Sequence, residues 1–181
     1  FYTDLIDATS YEGSLIRYKS FDGAVPLVGK AWGNPNFRFL DKYISDKATE
    51  EHTLRFGSKK YLSPSFKQRM MDRLLATRLS SDKSYRYSDL NFLLLQQVIE
   101  RVSGESLDQF VEKHLYRPLR ARLYFNPLER GVSLQQIAPA QPDTFLRREI
   151  LRGTVDDETA ACLGGVSGNA GLFGSAQELA K

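Results

Sequence analysis

The stretch YRYSDLNFLL, Tyr85 to Leu94, puts a phenol, a hydroxyl and a carboxylate on three consecutive residues, Tyr87-Ser88-Asp89, just ahead of an apolar run. Groups of these types can move a proton at a reacting centre. They can equally start a helix, because Ser or Asp at the N-cap accepts a backbone N–H. Choosing between the two depends on whether the chain also supplies a nucleophile, a base for its proton and donors for a developing oxyanion.

Such partners are scarce. His52 and His114 are the only histidines, lie far apart and have no Cys or carboxylate pattern around them, so both read as surface or helix-face residues. No Gly-x-Ser-x-Gly elbow accompanies them, and a Ser-His-Asp triad is not offered. A second serine chemistry sets Ser and Lys one helical turn apart as S-x-x-K, with a Tyr or Ser from another motif assisting proton transfer. Tyr87 suits that assisting role. The one S-x-x-K string, Ser80-Ser81-Asp82-Lys83, sits in a polar turn without an apolar helix around it and reads as chance. Neither Lys-Ser/Thr-Gly nor His-x-Gly occurs to form a far wall. Cys162 is alone, which rules out an internal disulfide and gives no thiolate zinc set. P-loop and dinucleotide spacings are absent too, so neither cofactor nor metal is expected.

The 181 residues, 41% of them hydrophobic, suit one compact domain. The 25 basic and 22 acidic side chains are interspersed, without the one-signed cluster a phosphate backbone calls for, so nucleic acid is not an expected partner. The apolar run Leu90 to Leu95 is far too short to span a bilayer. Phe1 is not a start methionine, and the chain reads as cut from something longer.

Residues 1–62 mix aromatics, Gly, Pro and charges without helical period and predict irregular structure with short strands; Thr53 to Leu62 reads as a strand or hairpin around Gly57. Residues 63–181 read as a helical region with a Gly-rich loop. Ser63-Pro64 signals a helix to about Arg78, with Phe66, Met70, Leu74 and Leu75 on one buried face. From Ser88, the stripe Leu90, Leu94, Val98 and Val102 is widened by Phe92, Leu93, Leu95 and Ile99, which predicts a helix buried on several sides. Gly104 offers a left-handed stop, and Ser106 with Gln109 a capping box for a helix to about Leu115, closed by Pro118. "LRREIL" reads as a short helix or strand, and Asp156 or Asp157 as the cap of a turn through ETAACL. GGVSGNAGLFGS then packs five glycines into twelve residues, a density that allows close backbone approach. Ser175 and Glu178 form another capping box.

Taken in order, YRYSDLNFLLLQQVIERVSGESLDQFVEKHLYRPL, IAPAQPD and GTVDDETAACLGGVSGNAGLFGSAQELA resemble the serine β-lactamase-related family, which includes class C β-lactamases, penicillin-binding proteins, D-aminopeptidases and related esterases. The resemblance is strongest to Bacteroidetes-type members in which such a domain follows a glycoside hydrolase family 3 N-acetylglucosaminidase module, and it covers about Tyr61 to Lys181. It implies a mainly α fragment of an α+β β-lactamase/transpeptidase-like fold: a helical part with one short hairpin or strand pair, and the main sheet largely missing. It further implies that Tyr87 assists proton transfer and that Asp89 shapes the site, while the nucleophilic Ser and its Lys lie upstream of this stretch. Where the family often has Asn, Asp89 stands, and a carboxylate cannot donate as an amide does. Related sequences read VHDENA and GHAGLF, so Asp156 and Asn169 replace histidines.

A phenol titrates near pH ~10 and needs nearby positive charge to ionise at neutrality. Without the family's lysine, Tyr87 is expected to stay a neutral phenol and this chain alone to be inactive. The implied parent is a serine hydrolase acting by acyl transfer on a peptidoglycan-derived amide, a β-lactam or an ester, in the periplasm or cell envelope, with the rest of the same protein as its partner. The alternatives are a non-catalytic degenerate module attached to an N-acetylglucosaminidase-type glycosidase and an unrelated helical interaction domain.

Overall fold

Helix α1, Ser65–Leu75, buries Phe66, Met70 and Leu74 at the three-to-four spacing of a single face. It belongs to a computed structural model that describes residues 2–27, 29–78, 81–82 and 84–181. Leu75, which the sequence pattern places on the same face, is 72% exposed, because one further residue turns it about 100° round the axis. Ser63 does not cap α1 with its side chain: its hydroxyl meets that of Ser65 at 2.8 Å, and its carbonyl accepts the Phe66 N–H at 3.0 Å.

The short strands assemble around this helix. β1 (Ile16–Arg17), β2 (Val25–Pro26) and β3 (Trp32–Gly33) form an antiparallel sheet in the order β1-β3-β2. β4 (Ile44–Ser45), β5 (Leu54–Arg55) and β6 (Tyr61–Leu62) form a second, with β6 central and β5–β6 the hairpin expected around Gly57. β7 (Tyr124–Phe125) pairs with β10 (Leu172–Phe173), and β8 (Pro142–Asp143) with β9 (Glu149–Ile150), so that "LRREIL" contributes a strand.

Helix outweighs strand among the described residues. The expectation of one hairpin or strand pair is nevertheless corrected: these residues hold four small sheets, none wider than three strands. Two-residue strands are too short to show the alternation that marks a strand in sequence. The core lies where α1 meets Ala160, Ala161 and Cys162 of α4 (Glu158–Cys162), with Leu5, Phe56 and Leu146 around them.

Helix α2, Leu90–Ser103, forms as expected and ends at Gly104, whose φ of 74° is the left-handed stop. Its packing is not as expected. Leu93 and Gln96 are its buried residues, while Leu94 is 42%, Leu95 55%, Val98 57% and Val102 83% exposed. The predicted stripe thus faces outward, because the glycine loop and α3 (Leu107–Val111) cover only the opposite side. Gln109 accepts the Ser106 N–H at 3.4 Å, and α3 continues through a wider π-type turn, Glu112–Tyr116. At the C-terminus α5, Ala176–Leu179, starts from Ser175, whose hydroxyl accepts the Glu178 N–H.

The histidines divide. His52 is buried rather than at the surface; its Nε2 lies 2.9 Å from the Asp41 carbonyl and its Nδ1 3.0 Å from the Thr49 hydroxyl. A carbonyl only accepts, so Nε2 carries the proton and the ring stitches a turn together. His114 is exposed and meets Glu105 at 3.0 Å. No helix among the described residues is long and apolar enough to cross a membrane.

Candidate active site

Tyr87 stands just before α2 with its side chain 75% exposed. Ser88 Oγ takes the Leu90 N–H at 3.3 Å, so the serine does the local work of starting the helix. Asp89 occupies the N-cap position but makes no side-chain capping bond. Hydrogen bonding to the Asp89 carboxylate, followed by its charge, slight burial, Tyr85 and the Asp157 charge, raises the Tyr87 pKa above its ordinary value. These contributions all raise it, so the phenol is protonated at neutral pH. Just upstream, Arg86 bonds to Asp82 at 3.2 Å. The Ser80-x-x-Lys83 string cannot be placed against Tyr87, because Ser80 and Lys83 lie outside the described residues.

The glycine loop packs on the first turns of α2. Gly168 lies against the first turn of α2, where a Cβ would stand 2.3 Å from the Phe92 carbonyl oxygen; only glycine permits that approach. Buried Gln96 fixes the loop there: its Oε1 accepts the Gly168 N–H at 3.0 Å, and its Nε2 donates to the Val166 carbonyl at 3.4 Å and to Glu100 at 3.0 Å. An apolar groove of about 380 Å³ runs beside this contact, between Phe92, Leu95 and Ile99 on one side and Phe125, Ala170 and Leu172 on the other.

Next in the loop, Asn169 Nδ2 donates to Asp157 Oδ1 at 3.2 Å, and its Oδ1 accepts from the buried Ser167 hydroxyl at 2.5 Å. Asp157 is the N-cap of α4, with its Oδ1 taking the Ala160 N–H at 2.7 Å. Of the two caps the sequence allowed, the structure uses Asp157; Asp156 turns the other way, toward Gln141 at 3.3 Å.

Behind Asp157 lies a buried ion pair that sequence reasoning missed. Arg147, its side chain 1% exposed, donates from Nε to Asp143 at 2.7 Å, from Nη1 to the Val155 carbonyl at 2.6 Å, and from Nη2 to the Asp156 carbonyl. Burial alone would push the Asp143 carboxyl up. The hydrogen bond and charge of Arg147, with the N–H groups of Leu146 and Arg147, hold it below the usual range instead. The pair thereby clamps the segment that delivers Asp157. Its sequence signal was the i,i+4 spacing of Asp143 and Arg147, which reads as a surface helix pair but here closes a turn. Cys162 is buried and its thiol is pushed up to about 12, chiefly by burial, so it is no nucleophile at neutral pH.

The comparisons agree with this organisation. A Beta-lactamase family model matches residues 33–181, most of the chain. A putative D-alanyl-D-alanine carboxypeptidase of Escherichia coli (strain K12) is 40% identical over 106 residues, covering 52% of this chain and 24% of the relative. An N-acetylmuramyl-L-alanine amidase of Bacillus subtilis (strain 168) is 36% identical over 108 residues, with the same coverages. The chain thus matches about a quarter of the length of these relatives. No solved structure matches. With a family match over this span, and with the α2 start, the glycine loop and the α4 cap brought together, the chain belongs to the Beta-lactamase family.

Proposed function

We propose that this chain is part of a serine hydrolase that transfers acyl groups from a peptidoglycan-type amide, a β-lactam or an ester. The observation that carries this is the solvent-facing phenol of Tyr87, placed just before α2, the helix whose first turns seat the glycine loop. A protonated phenol in that position suits delivery of a proton to a leaving group. The names of the two relatives, a carboxypeptidase and an amidase, favour a peptidoglycan-derived amide among these substrates and a site in the periplasm or cell envelope. The serine nucleophile and its lysine lie upstream of this stretch in the parent protein, and the chain alone turns nothing over. A class C-like ancestry and fusion to a family 3 glycosidase belong to the same proposal.

A second reading, a degenerate non-catalytic module appended to an N-acetylglucosaminidase-type glycosidase, is favoured by the acidic surroundings of Tyr87, which oppose its use as a base. Labelling the full-length gene product with a fluorophosphonate or a penicillin, then mapping the modified peptide, separates the two. A labelled serine outside these 181 residues establishes the hydrolase. No label, with the probe active on a control enzyme, leaves the degenerate module.

A further inference from the structure

We propose that the cleft between the turn after β4, the β5–β6 hairpin and the β8–β9 connection binds a phosphate monoester. The proposal does not depend on the reading of Tyr87, and neither the family match nor the relatives' names give these residues a role.

Four positive side chains, Lys47, Lys59, Lys60 and Arg148, line one open cleft of about 870 Å³ together with two carboxylates, Asp46 and Glu149. Arg147 also borders it, but its charge is taken up by Asp143 at 2.7 Å. Both lining carboxylates are occupied. Asp46 pairs with Lys60 at 2.7 Å. Glu149 turns to the hairpin, where its Oε1 accepts the Ser58 N–H at 2.6 Å and its Oε2 the Ser58 hydroxyl. A Cβ on Gly57 would stand 2.6 Å from that Oε1, so glycine is what lets β9 close on the hairpin. Lys47 and Lys59 make no side-chain hydrogen bond or ion pair among the described residues. Four cations against two carboxylates leave two positive charges in the cleft without a counter-charge.

Local structure holds these groups together. Ser45 Oγ accepts the Lys47 N–H at 3.2 Å, which turns the chain off the end of β4. The Phe56 and Gly57 N–H groups both go to the Lys60 carbonyl, at 2.9 and 3.2 Å, and leave Ser58 and Lys59 at the hairpin tip. Arg148 has a φ of 57°, a left-handed conformation that a residue with a Cβ adopts only under strain. Its guanidinium lies over the Phe37 ring at 4.5 Å, with Nη2 donating to the Phe37 carbonyl at 3.1 Å. Tyr61 adds an aromatic wall. Across the strands from it, Arg55 lies over the Tyr61 ring at 5.4 Å, pairs with no carboxylate among the described residues, and has a buried Nε without a hydrogen-bond partner. The positive charge gathered here exceeds what the chain's own carboxylates balance.

The donor set selects the anion. A lysine ammonium binds as a point charge, and the Arg148 fork is already engaged on Phe37, so the cleft is not prepared for paired docking of a planar carboxylate. Separate donors suit the three oxygens of a phosphate monoester, whose charge of about −2 at neutral pH matches the two unbalanced cations. The cleft is far larger than a phosphate group, which favours a phosphate carried on a sugar-sized body over the free ion.

The experiment titrates the full 181-residue chain, isotope-labelled at its amides, with glucose 6-phosphate, inorganic phosphate and glucose at fixed ionic strength, and follows the amide signals by NMR. Glucose 6-phosphate is expected to give saturable shifts centred on Lys47, Ala48, Ser58 and Lys59. No saturation, or shifts spread over the whole surface, overturns the proposal. Inorganic phosphate is expected to move the same amides with weaker affinity; equal or tighter binding of the free ion overturns the assignment to an ester. Shifts of these amides by glucose alone would overturn recognition through phosphate.

Lys47→Gln with Lys59→Gln is expected to weaken glucose 6-phosphate binding by about tenfold or more. Both side chains are exposed and have no partner to lose, so the fold is expected to survive. Lys19→Gln with Lys30→Gln removes the same charge from lysines that do not line the cleft, and is expected to leave the affinity unchanged. Wild-type affinity in the first double variant, or an equal loss in both, overturns the site.

Discussion

Gly168 lies so close to Phe92 that a Cβ on the glycine would stand 2.3 Å from the Phe92 carbonyl oxygen and 3.0 Å from its carbonyl carbon. Both atoms are helix backbone, so no side-chain rotation relieves the clash. Gly168→Ala must lift the glycine loop off α2 or bend the first turn of the helix. Overpacking of this kind costs about 1–3 kcal/mol. The urea midpoint is expected to fall with the slope of the transition unchanged. An unchanged midpoint would mean that the loop does not seat on α2 as described.

Tyr87 has the opposite character: at 75% exposure it holds almost nothing together. Tyr87→Phe is expected to alter stability by no more than about 0.5 kcal/mol. In the full-length product, the same substitution is expected to lower turnover by about 10²–10⁴-fold, the usual worth of a positioned proton donor. Steady-state kinetics on the unlabelled full-length wild type and variant give the answer. Full activity in the variant would leave Tyr87 as a helix-start residue.

Sequence reasoning found the helices because each carries a local, repeated signal. Phe66, Met70 and Leu74 recur one helical turn apart, and Gly104 marks a stop that any residue with a Cβ resists. It misjudged which face of α2 is covered, since periodicity reports that Leu94, Val98 and Val102 are aligned but not what lies opposite them. It found Tyr87 and Asp89 as neighbours on one turn. It did not find Arg147 or the Asn169–Asp157 bond, because those partners are set by turns that carry no period: Arg147 reaches Val155 and Asp156 across a chain reversal, and Asn169 reaches back twelve residues. Arg147 reads as an ordinary surface charge until the fold removes its water.

The outward face of α2 yields a third prediction. Val98 and Val102 are 57% and 83% exposed, and Lys at either position keeps its ammonium in water while its stem lies along the helix. Val98→Lys with Val102→Lys is expected to leave the unfolding midpoint of this chain within about 0.5 kcal/mol per site. A large apolar patch also promotes association, so the double variant is expected to stay monomeric at concentrations where the wild type begins to self-associate in sedimentation experiments. A marked loss of stability would show that this face is covered within the chain after all.

Glu178 ties the C-terminal helix to the strand region. Its carboxylate accepts from Lys181 and from the Arg122 N–H, both at 2.7 Å. Those bonds, with Lys181 the largest contributor, lower its pKa to about 2. A folded-state pKa below the unfolded value, about 4.3 for glutamate, means stability that is present above that value and lost as pH falls toward 2. Glu178→Gln is therefore expected to melt below the wild type at neutral pH, with the gap closing as the pH falls through that window. A gap that persists unchanged at acid pH would assign the effect to packing rather than charge.

Arg147 is the most demanding position. Its guanidinium is buried against Asp143, and its remaining donors go to the Val155 and Asp156 carbonyls, so Arg147→Leu strips partners from a carboxylate and two carbonyls at once. Removing one member of a buried pair costs about 3–5 kcal/mol, because the other charge is left where water cannot reach it. Asp143 retains the N–H groups of Phe145, Leu146 and Arg147, which softens but does not cancel that loss. Arg147→Lys keeps the charge but not the planar fork, and should fall between the wild type and the leucine variant. The sign with pH follows from Asp143: its carboxyl is held below the usual range in the wild type, and burial pushes it up once Arg147 is gone. The gap between Arg147→Leu and wild type should be widest near neutrality, where the stranded carboxylate is charged. It should narrow as pH falls, first as the raised carboxyl of the variant protonates above the ordinary aspartate value of about 3.9 and then below that value as the lowered carboxyl of the wild type does. Urea unfolding across that range tests both magnitude and sign, and a gap that widened in acid would contradict the role assigned to the pair.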